Sequence, residues 1–124
     1  MPTIIFASLA PITIHVEAEM DRDLLVAETR WLTTMSELHG LPSAIVAHAW
    51  FHTPNAEEII AQQAGFPLVR GIRSKPVTAS SPDAIHPTGP GTMQDPRWLS
   101  GFALLEKYGL SWDLRVPYWH LDEA

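Results

Sequence analysis

The stretch L-V-R-G-I-R-S-K-P, residues 68–76, combines the start of a buried strand with an unusual density of cations. After two apolar residues it places Arg70, Arg73 and Lys75 within six positions, and a proline ends it. Cations are rarely buried in a protein without an anionic partner. The carboxyl end of this strand is therefore a candidate meeting point for polar side chains, and the segments around it decide the fold.

The rest of the chain alternates between strand-like and helix-like segments. Runs of β-branched or continuously apolar residues, which are typical of strands, occur at residues 11–19, 43–51, 67–73 and 110–116. Apolar residues at helical spacing, or residues that bound helices, occur at residues 24–39, 53–65 and 95–109, and a further helix start is predicted at 120–124. Strict alternation of short elements predicts right-handed crossovers and a parallel sheet, which is an α/β fold.

Several residues mark where the predicted helices begin and end. Gly40 suits the position after the first helix, where the chain often turns left-handed. Thr53 is predicted to cap the second helix and Asp95 the third, each followed by a proline at the first helical position. Residues 74–94 are rich in proline, serine, threonine and glycine, so we expect a long loop there.

Two architectures satisfy this alternation: an open doubly wound sheet and an arc of a (β/α)8 TIM barrel. A glycine-rich phosphate-binding turn after the first strand would favour the open sheet, but V-E-A-E-M-D-R-D follows instead. A complete barrel needs about 250 residues, and this chain has 124. We therefore expect residues 1–124 to form a single partial domain, about half of a barrel.

The composition excludes several classes of protein. Hydrophobic residues make up 46% of the chain and charged residues 18%, which is typical of a globular protein. A net charge of −6 argues against a nucleic-acid partner, which would require a basic face. The chain has no cysteine and no apolar run long enough to cross a membrane, so we expect a cytoplasmic protein without disulfides or thiolate-bound zinc.

The predicted carboxyl ends of the strands gather acids, histidines, arginines and aromatic residues, whereas the opposite ends are chemically quiet. Functional groups of parallel α/β folds lie at the carboxyl ends of the strands. We therefore expect these residues to surround a small-molecule substrate: Glu17, Glu19, His48, Trp50, Arg73, Trp119 and His120. Two further tryptophans, Trp31 and Trp98, lie in predicted helices and should pack on the sheet.

Arg73 has two interpretations at this stage. Its guanidinium could pair with Glu17 or Glu19 from a nearby strand, or it could bind the anionic group of a substrate, because its geometry suits a carboxylate from either source. Arg70 lies three residues earlier, so alternation along the strand places the two arginines on opposite faces. We expect Arg73 to point into the barrel.

Four segments, in order, resemble the amidohydrolase superfamily: HVEAEMDRDLLVAETRWL, GLPSAIVAHAWF, FPLVRGIRSKP and DPRWLSGFALLEKYGLSWDLRVPYWHLDEA. The similarity is to the amidohydrolase-2 branch of predicted metal-dependent TIM-barrel hydrolases, which includes sugar-acid lactonases, and it covers nearly all of residues 12–124. It implies a distorted (β/α)8 barrel that hydrolyses lactone or amide bonds, with a divalent metal such as zinc or without one. Arg73 matches an arginine that helps those lactonases hold an anionic substrate.

The same resemblance places these four strands at barrel positions two to five. The family's His-x-His would then precede Met1, and its strand-six histidine and strand-eight aspartate would follow Ala124. We therefore expect a fragment with substrate-side residues but no catalytic residue, metal ligand or cofactor of its own. The alternative is a non-catalytic α/β module that binds a small anion or self-associates to supply the missing half of the barrel.

Overall fold

Four short strands form one parallel sheet in the computed structural model, which describes residues 11–124. The strands are β1 (Ile14–Val16), β2 (Ala44–His48), β3 (Val69–Arg73) and β4 (Ser111–Trp112), and they lie side by side in chain order. The connecting helices are α1 (Leu25–His39), α2 (Ala56–Ala64) and α3 (Pro96–Lys107). All three strand pairs are parallel, so the predicted α/β fold with a parallel sheet is confirmed.

The two outer strands are much shorter than the sequence predicts. β1 has three residues rather than nine, and β4 has two rather than seven. Within the described residues, each outer strand pairs with one neighbour instead of two, so fewer hydrogen bonds keep it in the extended conformation. Pairing nevertheless extends one residue past each strand, because Glu17 N–H donates to the carbonyl of Val46 and Asp113 N–H to that of Ile72.

Local capping signals predict two of the helix ends correctly. Gly40 adopts a left-handed φ of 79° after α1 and donates its N–H to the carbonyl of Ser36. The carboxylate of Asp95 accepts the backbone N–H of Arg97, with Pro96 as the first residue of α3. Both predictions are confirmed.

Two other predicted ends are wrong. Thr53 lies in a turn before α2, where its hydroxyl donates to the carbonyl of Trp50, and Asn55 occupies the capping position. The helix predicted at 120–124 is a short 3-10 helix (Tyr118–His120) followed by a turn. Its hydrogen bonds span three residues, as in the bond from Glu123 N–H to the carbonyl of His120, so no α-helical turn forms.

The hydrophobic core lies between the sheet and its three helices. Ile45 and Ala47 of β2 and Ile72 of β3 belong to it, and the helices contribute the buried side chains of Leu32, Ile60, Trp98 and Leu105. Because the strands lie in chain order and crossovers are right-handed, all three helices lie on one face of the sheet. Trp98 packs in this core as predicted, but Trp31 is 60% exposed, so the prediction that it packs on the sheet is wrong.

The opposite face of the sheet, called the open face below, carries the alternate residues Ile14, Val16, Val46, Gly71 and Ser111. A bulge leaves Arg70 of β3 without a register partner on β2 and shifts the alternation by one residue, because Val69 and Ile72 both belong to the core. The alternation that predicts Arg70 and Arg73 on opposite faces is therefore interrupted between them. Arg73 follows Ile72, which is buried against the helices, so its side chain lies on the open face. None of the helices in residues 11–124 is long and apolar enough to cross a membrane.

Candidate functional site

Charged side chains meet at the carboxyl ends of the four strands. His48 ends β2 and Arg73 ends β3, and the two are register partners on neighbouring strands. Glu17 directly follows β1, and Asp113 directly follows β4. The carboxyl-edge group, as it is called below, consists of Glu17, Glu19, His48, Arg73, Asp113 and Arg115.

His48 and Glu17 form the buried part of the carboxyl-edge group. Nδ1 of His48 lies 3.3 Å from Oε2 of Glu17, and the two side chains are 4% and 2% exposed. Neither ring nitrogen of His48 makes a hydrogen bond within the described residues, so the contact is electrostatic. Burial lowers the pKa of His48, and the nearby charge of Glu17 opposes this effect less strongly. The lowered pKa favours a neutral imidazole at neutral pH, with both ring nitrogens shielded from solvent.

The turn after β1 holds the carboxylate of Glu17 in place. Oε2 of Glu17 accepts the backbone N–H of Glu19 at 2.5 Å. Glu19 has a left-handed φ of 54°, which is uncommon for a residue other than glycine. The hydrogen bond from the Glu19 N–H therefore holds the carboxylate of Glu17 beside His48.

Arg73 pairs with Asp113, through its Nε and Nη2 atoms, rather than with Glu17 or Glu19. The predicted pairing with either glutamate is therefore wrong. The physical reason is the strand order, because β4 adjoins β3 whereas β2 separates β3 from β1. The Arg73 side chain is 25% exposed, so solvent and a small ligand both reach the guanidinium.

Arg115 contacts Glu19 across the sheet. Glu19 follows β1 and Arg115 follows β4, which are the two outer strands. Three strand spacings of a flat sheet amount to about 14 Å, a distance that these two long side chains help to bridge. The carboxyl-edge group therefore extends over all four strands, and the part-exposed Arg115–Glu19 pair links its two ends.

Aromatic rings border His48 on one side. The ring centre of Trp50 lies 4.9 Å from that of His48, and the guanidinium carbon of Arg22 lies 4.9 Å from the centre of the Trp50 ring. His52 contacts the far side of Trp50 at 6.1 Å between ring centres. Trp50 thus lies beside His48 and forms an apolar wall next to the carboxyl-edge group.

Trp119 and His120 bind the long loop at residues 74–94. Nε1 of Trp119 donates to the carbonyl of Ala79 at 3.1 Å, and Nε2 of His120 accepts the N–H of Ala79 at 2.8 Å. His120 is almost fully buried. Nε1 of Trp119 and Nε2 of His120, both predicted site residues, are therefore occupied by the backbone of the loop.

His86 and Glu123 join His120 in a group that sequence reasoning missed. The carboxylate of Glu123 lies 2.5 Å from Nδ1 of His86 and 3.1 Å from Nδ1 of His120, and the two imidazoles stack. Hydrogen bonds from the histidines lower the pKa of Glu123, chiefly that from His86. No spacing in the sequence signals this group, because the loop brings His86 to Glu123 from 37 residues away.

The three residues offer ligand atoms within 4.8 Å of one another, a spacing at which a metal ion could be held. A neutral histidine that binds a metal through Nδ1 carries its proton on Nε2. Nε2 of His120 instead accepts a hydrogen bond from the Ala79 N–H. If Nδ1 bound a metal, Nε2 would carry a proton, and two hydrogen-bond donors would then point at each other. The group therefore does not fit a metal ion, and its hydrogen bonds assign it to holding the loop.

Comparison with known proteins gives one distant relative. "Uncharacterized protein y4mH" of Sinorhizobium fredii (strain NBRC 101917 / NGR234) is 29% identical over 110 residues, which are 89% of this chain and 37% of that protein. The chain therefore spans little more than a third of the length of this curated relative. No family model and no solved structure matches the sequence.

The predicted site residues thus separate into two groups. Glu17, Glu19, His48, Trp50 and Arg73 lie along the carboxyl ends of β1 to β3, whereas Trp119 and His120 contact the loop. The sequence contains one signal that could have identified Asp113 as the partner of Arg73. Asp113 stands two residues after Ser111, so alternation places it on the open face at the end of the neighbouring strand.

Proposed function

We propose that this chain is a four-strand section of a (β/α)8 hydrolase of the amidohydrolase type, whose carboxyl-edge group binds a small acidic or hydroxylated substrate. The observation that carries the proposal is the part-exposed Arg73 at the carboxyl ends of parallel strands, on the strand next to the buried His48–Glu17 pair. Ligands of parallel α/β folds bind at this edge of the sheet.

The strand order supports a barrel section over a doubly wound sheet. A doubly wound sheet reverses its strand order and carries helices on both faces, whereas β1 to β4 run in one direction with their helices on one face. The open face then corresponds to the interior of a barrel. The contact between Glu19 and Arg115, which follow the two outer strands, agrees with the curvature that a barrel requires.

The charges of the carboxyl-edge group favour a substrate with a carboxylate or several hydroxyl groups. A substrate carboxylate would take the place of Asp113 on the guanidinium of Arg73, which suits a bidentate contact. Hydroxyl groups would find an exposed acceptor in the carboxylate of Glu19, next to the buried Glu17–His48 pair. Trp50 would cover the apolar face of a sugar-like ring.

In this proposal the chain binds and orients the substrate, and full-length relatives carry out the hydrolysis. A divalent metal such as zinc, where such a relative holds one, would activate the attacking water. The chain's own residues would fix the acidic end of the substrate and exclude water along Trp50. The absence of cysteine agrees with the proposed cytoplasmic location, and the net charge of −6 agrees with a small molecule rather than nucleic acid as partner.

Calorimetric titration of the purified chain with a sugar acid, and with the matching neutral polyol, tests the proposed binding. We expect the sugar acid to bind more tightly, and Arg73→Ala to weaken its binding about tenfold or more, because a charge-assisted hydrogen bond is lost. Arg70→Ala is the matched control, since Arg70 is an exposed arginine on the same strand. Equal binding by the Arg73→Ala and Arg70→Ala variants would refute the proposal.

A lactone-hydrolysis assay tests whether this chain binds the substrate without hydrolysing it, which is the division between binding and hydrolysis proposed above. The purified chain is incubated with sugar lactones, with and without added divalent metal, and the acid released is measured. We expect no turnover above that of buffer containing the same metal. Turnover that Arg73→Ala abolishes would place catalysis within this chain and overturn the division, while leaving Arg73 in the binding site.

A further inference from the structure

Both edges of the sheet lack a strand partner within the described residues. β1 pairs with β2 alone and β4 with β3 alone, so each outer strand presents a row of unpaired backbone N–H and carbonyl groups. Such edges are templates for pairing with another chain. The question is what covers them, and the side chains beside each edge provide the evidence.

The β1 end of the molecule is apolar in both of its layers. In the strand layer, Ile12 and Ile14 are 83% and 64% exposed. In the helix layer, Trp31 of α1 is 60% exposed and lines a groove together with Ile14 and Met35. A continuous apolar surface therefore runs from the edge strand to the neighbouring helix.

The β4 end has the same construction. Leu114, two residues beyond β4, is 44% exposed, and Leu99 and Phe102 of α3 are 47% and 37% exposed. Phe102 and Trp112 line a groove between α3 and β4. At the β4 end, as at the β1 end, apolar side chains are therefore present in both the strand layer and the helix layer.

We infer that two copies of this chain associate head to tail, with the β4 edge of each copy against the β1 edge of the other, to close a ring of eight parallel strands. The inference rests on the proposed barrel geometry. Pairing β4 with β1 continues the parallel order, whereas a symmetric β1–β1 contact would be antiparallel. It also places α3 beside α1 of the second copy, so that Phe102 and Trp31 cover each other.

The strand number favours two copies over an open chain of copies. Four strands from each copy make eight, the number at which a parallel α/β sheet closes. A two-fold axis along the barrel then covers all four edges at once and leaves none for further growth. The carboxyl-edge groups of both copies, each with its Arg73, would surround one mouth.

The first test measures the mass of the chain in solution by analytical ultracentrifugation. We expect a dimer of about 28 kDa, twice the 13.8 kDa of one chain. Ile14→Lys places a charge on the β1 edge and occurs in both interfaces of the ring, so we expect the dimer Kd to rise roughly 100-fold. Ile85→Lys is the control, because Ile85 is 95% exposed on the long loop.

A monomeric wild-type chain would overturn the inference, and so would a dimer unaffected by Ile14→Lys. Circular dichroism of each variant shows whether a monomer is still folded. Should the monomer bind the sugar acid through Arg73, the proposed function would stand while the self-association fails.

The second test uses the absence of cysteine from the sequence. Ser111→Cys marks the β4 edge, and Ile12→Cys, Ile14→Cys or Val16→Cys marks the β1 edge at three registers on the same face. On oxidation, we expect a disulfide dimer when one β1 variant is mixed with the β4 variant, and none from either alone. Cross-linking of a β1 variant with itself would show a symmetric contact and overturn the head-to-tail arrangement, as would a mixture that never cross-links.

Discussion

Gly101 of α3 packs directly against the backbone of Phe51, so closely that a Cβ atom on Gly101 would lie 2.7 Å from the Cα of Phe51. Backbone atoms cannot move aside as a flexible side chain can. The absence of a side chain at residue 101 is therefore what lets α3 lie on the segment after β2.

The first prediction is that Gly101→Ala destabilises the protein. Helix propensity alone would make alanine more favourable by about 1 kcal/mol, but the overlap with Phe51 forces α3 outward, and overpacking costs about 1–3 kcal/mol. Because the overlapped atoms are backbone, we expect the upper end of that cost and a net loss of about 2 kcal/mol in urea unfolding. Ser100→Ala, at an exposed position on the same helix, is the control. A Gly101→Ala variant as stable as Ser100→Ala would show that this close contact is not maintained in solution.

The second prediction concerns the start of α3. Hydrogen bonds from the backbone N–H groups of Gly91 and Arg97 lower the pKa of Asp95 from 3.8 to about 2. Because the folded pKa is below the unfolded one, the carboxylate's stabilisation is complete above pH 3.8 and is lost as the pH falls toward 2. We expect Asp95→Ala to lower the thermal midpoint at pH 7 by about 4 °C.

Asp95→Asn separates the cap from the charge. Asparagine also caps helices and does not titrate, but its one oxygen can accept only one of the two N–H groups that Asp95 binds. This variant should therefore keep part of the stability at pH 7 and lose the acid-sensitive part. Thermal unfolding of both variants between pH 2 and pH 5 would show this. If wild type and Asp95→Asn lose stability in parallel over that range, Asp95 does not titrate as described.

Features that depend on a few neighbouring residues could be predicted from the sequence. The left-handed turn at Gly40 and the Asp95–Pro96 helix start each depend on local backbone chemistry, and both are confirmed. The order of strands and helices follows from apolar patterns of similarly short range, so the parallel sheet could be predicted as well. Thr53 is the local exception, because a threonine hydroxyl can satisfy a turn as readily as a helix end.

Features that depend on register or on loop conformation could not be predicted. Arg73 pairs with Asp113, which lies 40 residues later in the sequence, because β4 lies beside β3. The local sequence pattern does not show which strands are neighbours. The bulge at Arg70 and the short outer strands depend on the pairing in the same way. His120 was expected near a substrate, but Ala79 of the irregular loop occupies its ring nitrogen.

The third prediction is that His48 makes stability fall in mildly acidic solution. Burial lowers the pKa of His48 below 6.5, with the charge of Glu17 acting in the opposite direction. The unfolded chain then takes up the proton first, so stability is complete above pH 6.5 and decreases as the pH falls below it. His48→Phe, which cannot titrate, should flatten this part of the profile.

His52 contributes in the same direction, since burial is also the main cause of its lowered pKa. The informative quantity is therefore the difference in unfolding free energy between wild type and His48→Phe at each pH from 5 to 8. We expect this difference to change with pH. His39→Asn is the control, because His39 is exposed at the end of α1. A difference that is constant over the range would mean that His48 titrates normally.

The fourth prediction concerns the attachment of the long loop. His120→Phe keeps an aromatic ring but removes the acceptor of the Ala79 N–H, and Trp119→Phe removes the donor to the Ala79 carbonyl. Ala79 is buried, so its N–H would be left without a partner in the first variant. We expect hydrogen exchange of the amides in residues 77–91 to accelerate about tenfold or more in His120→Phe, and less in Trp119→Phe.

Tyr118→Phe is the control. Tyr118 is an exposed neighbour in the same 3-10 helix, so this variant should leave exchange unchanged. Wild-type protection of Ala79 in His120→Phe would mean that other contacts hold the loop and that the imidazole is free for another role.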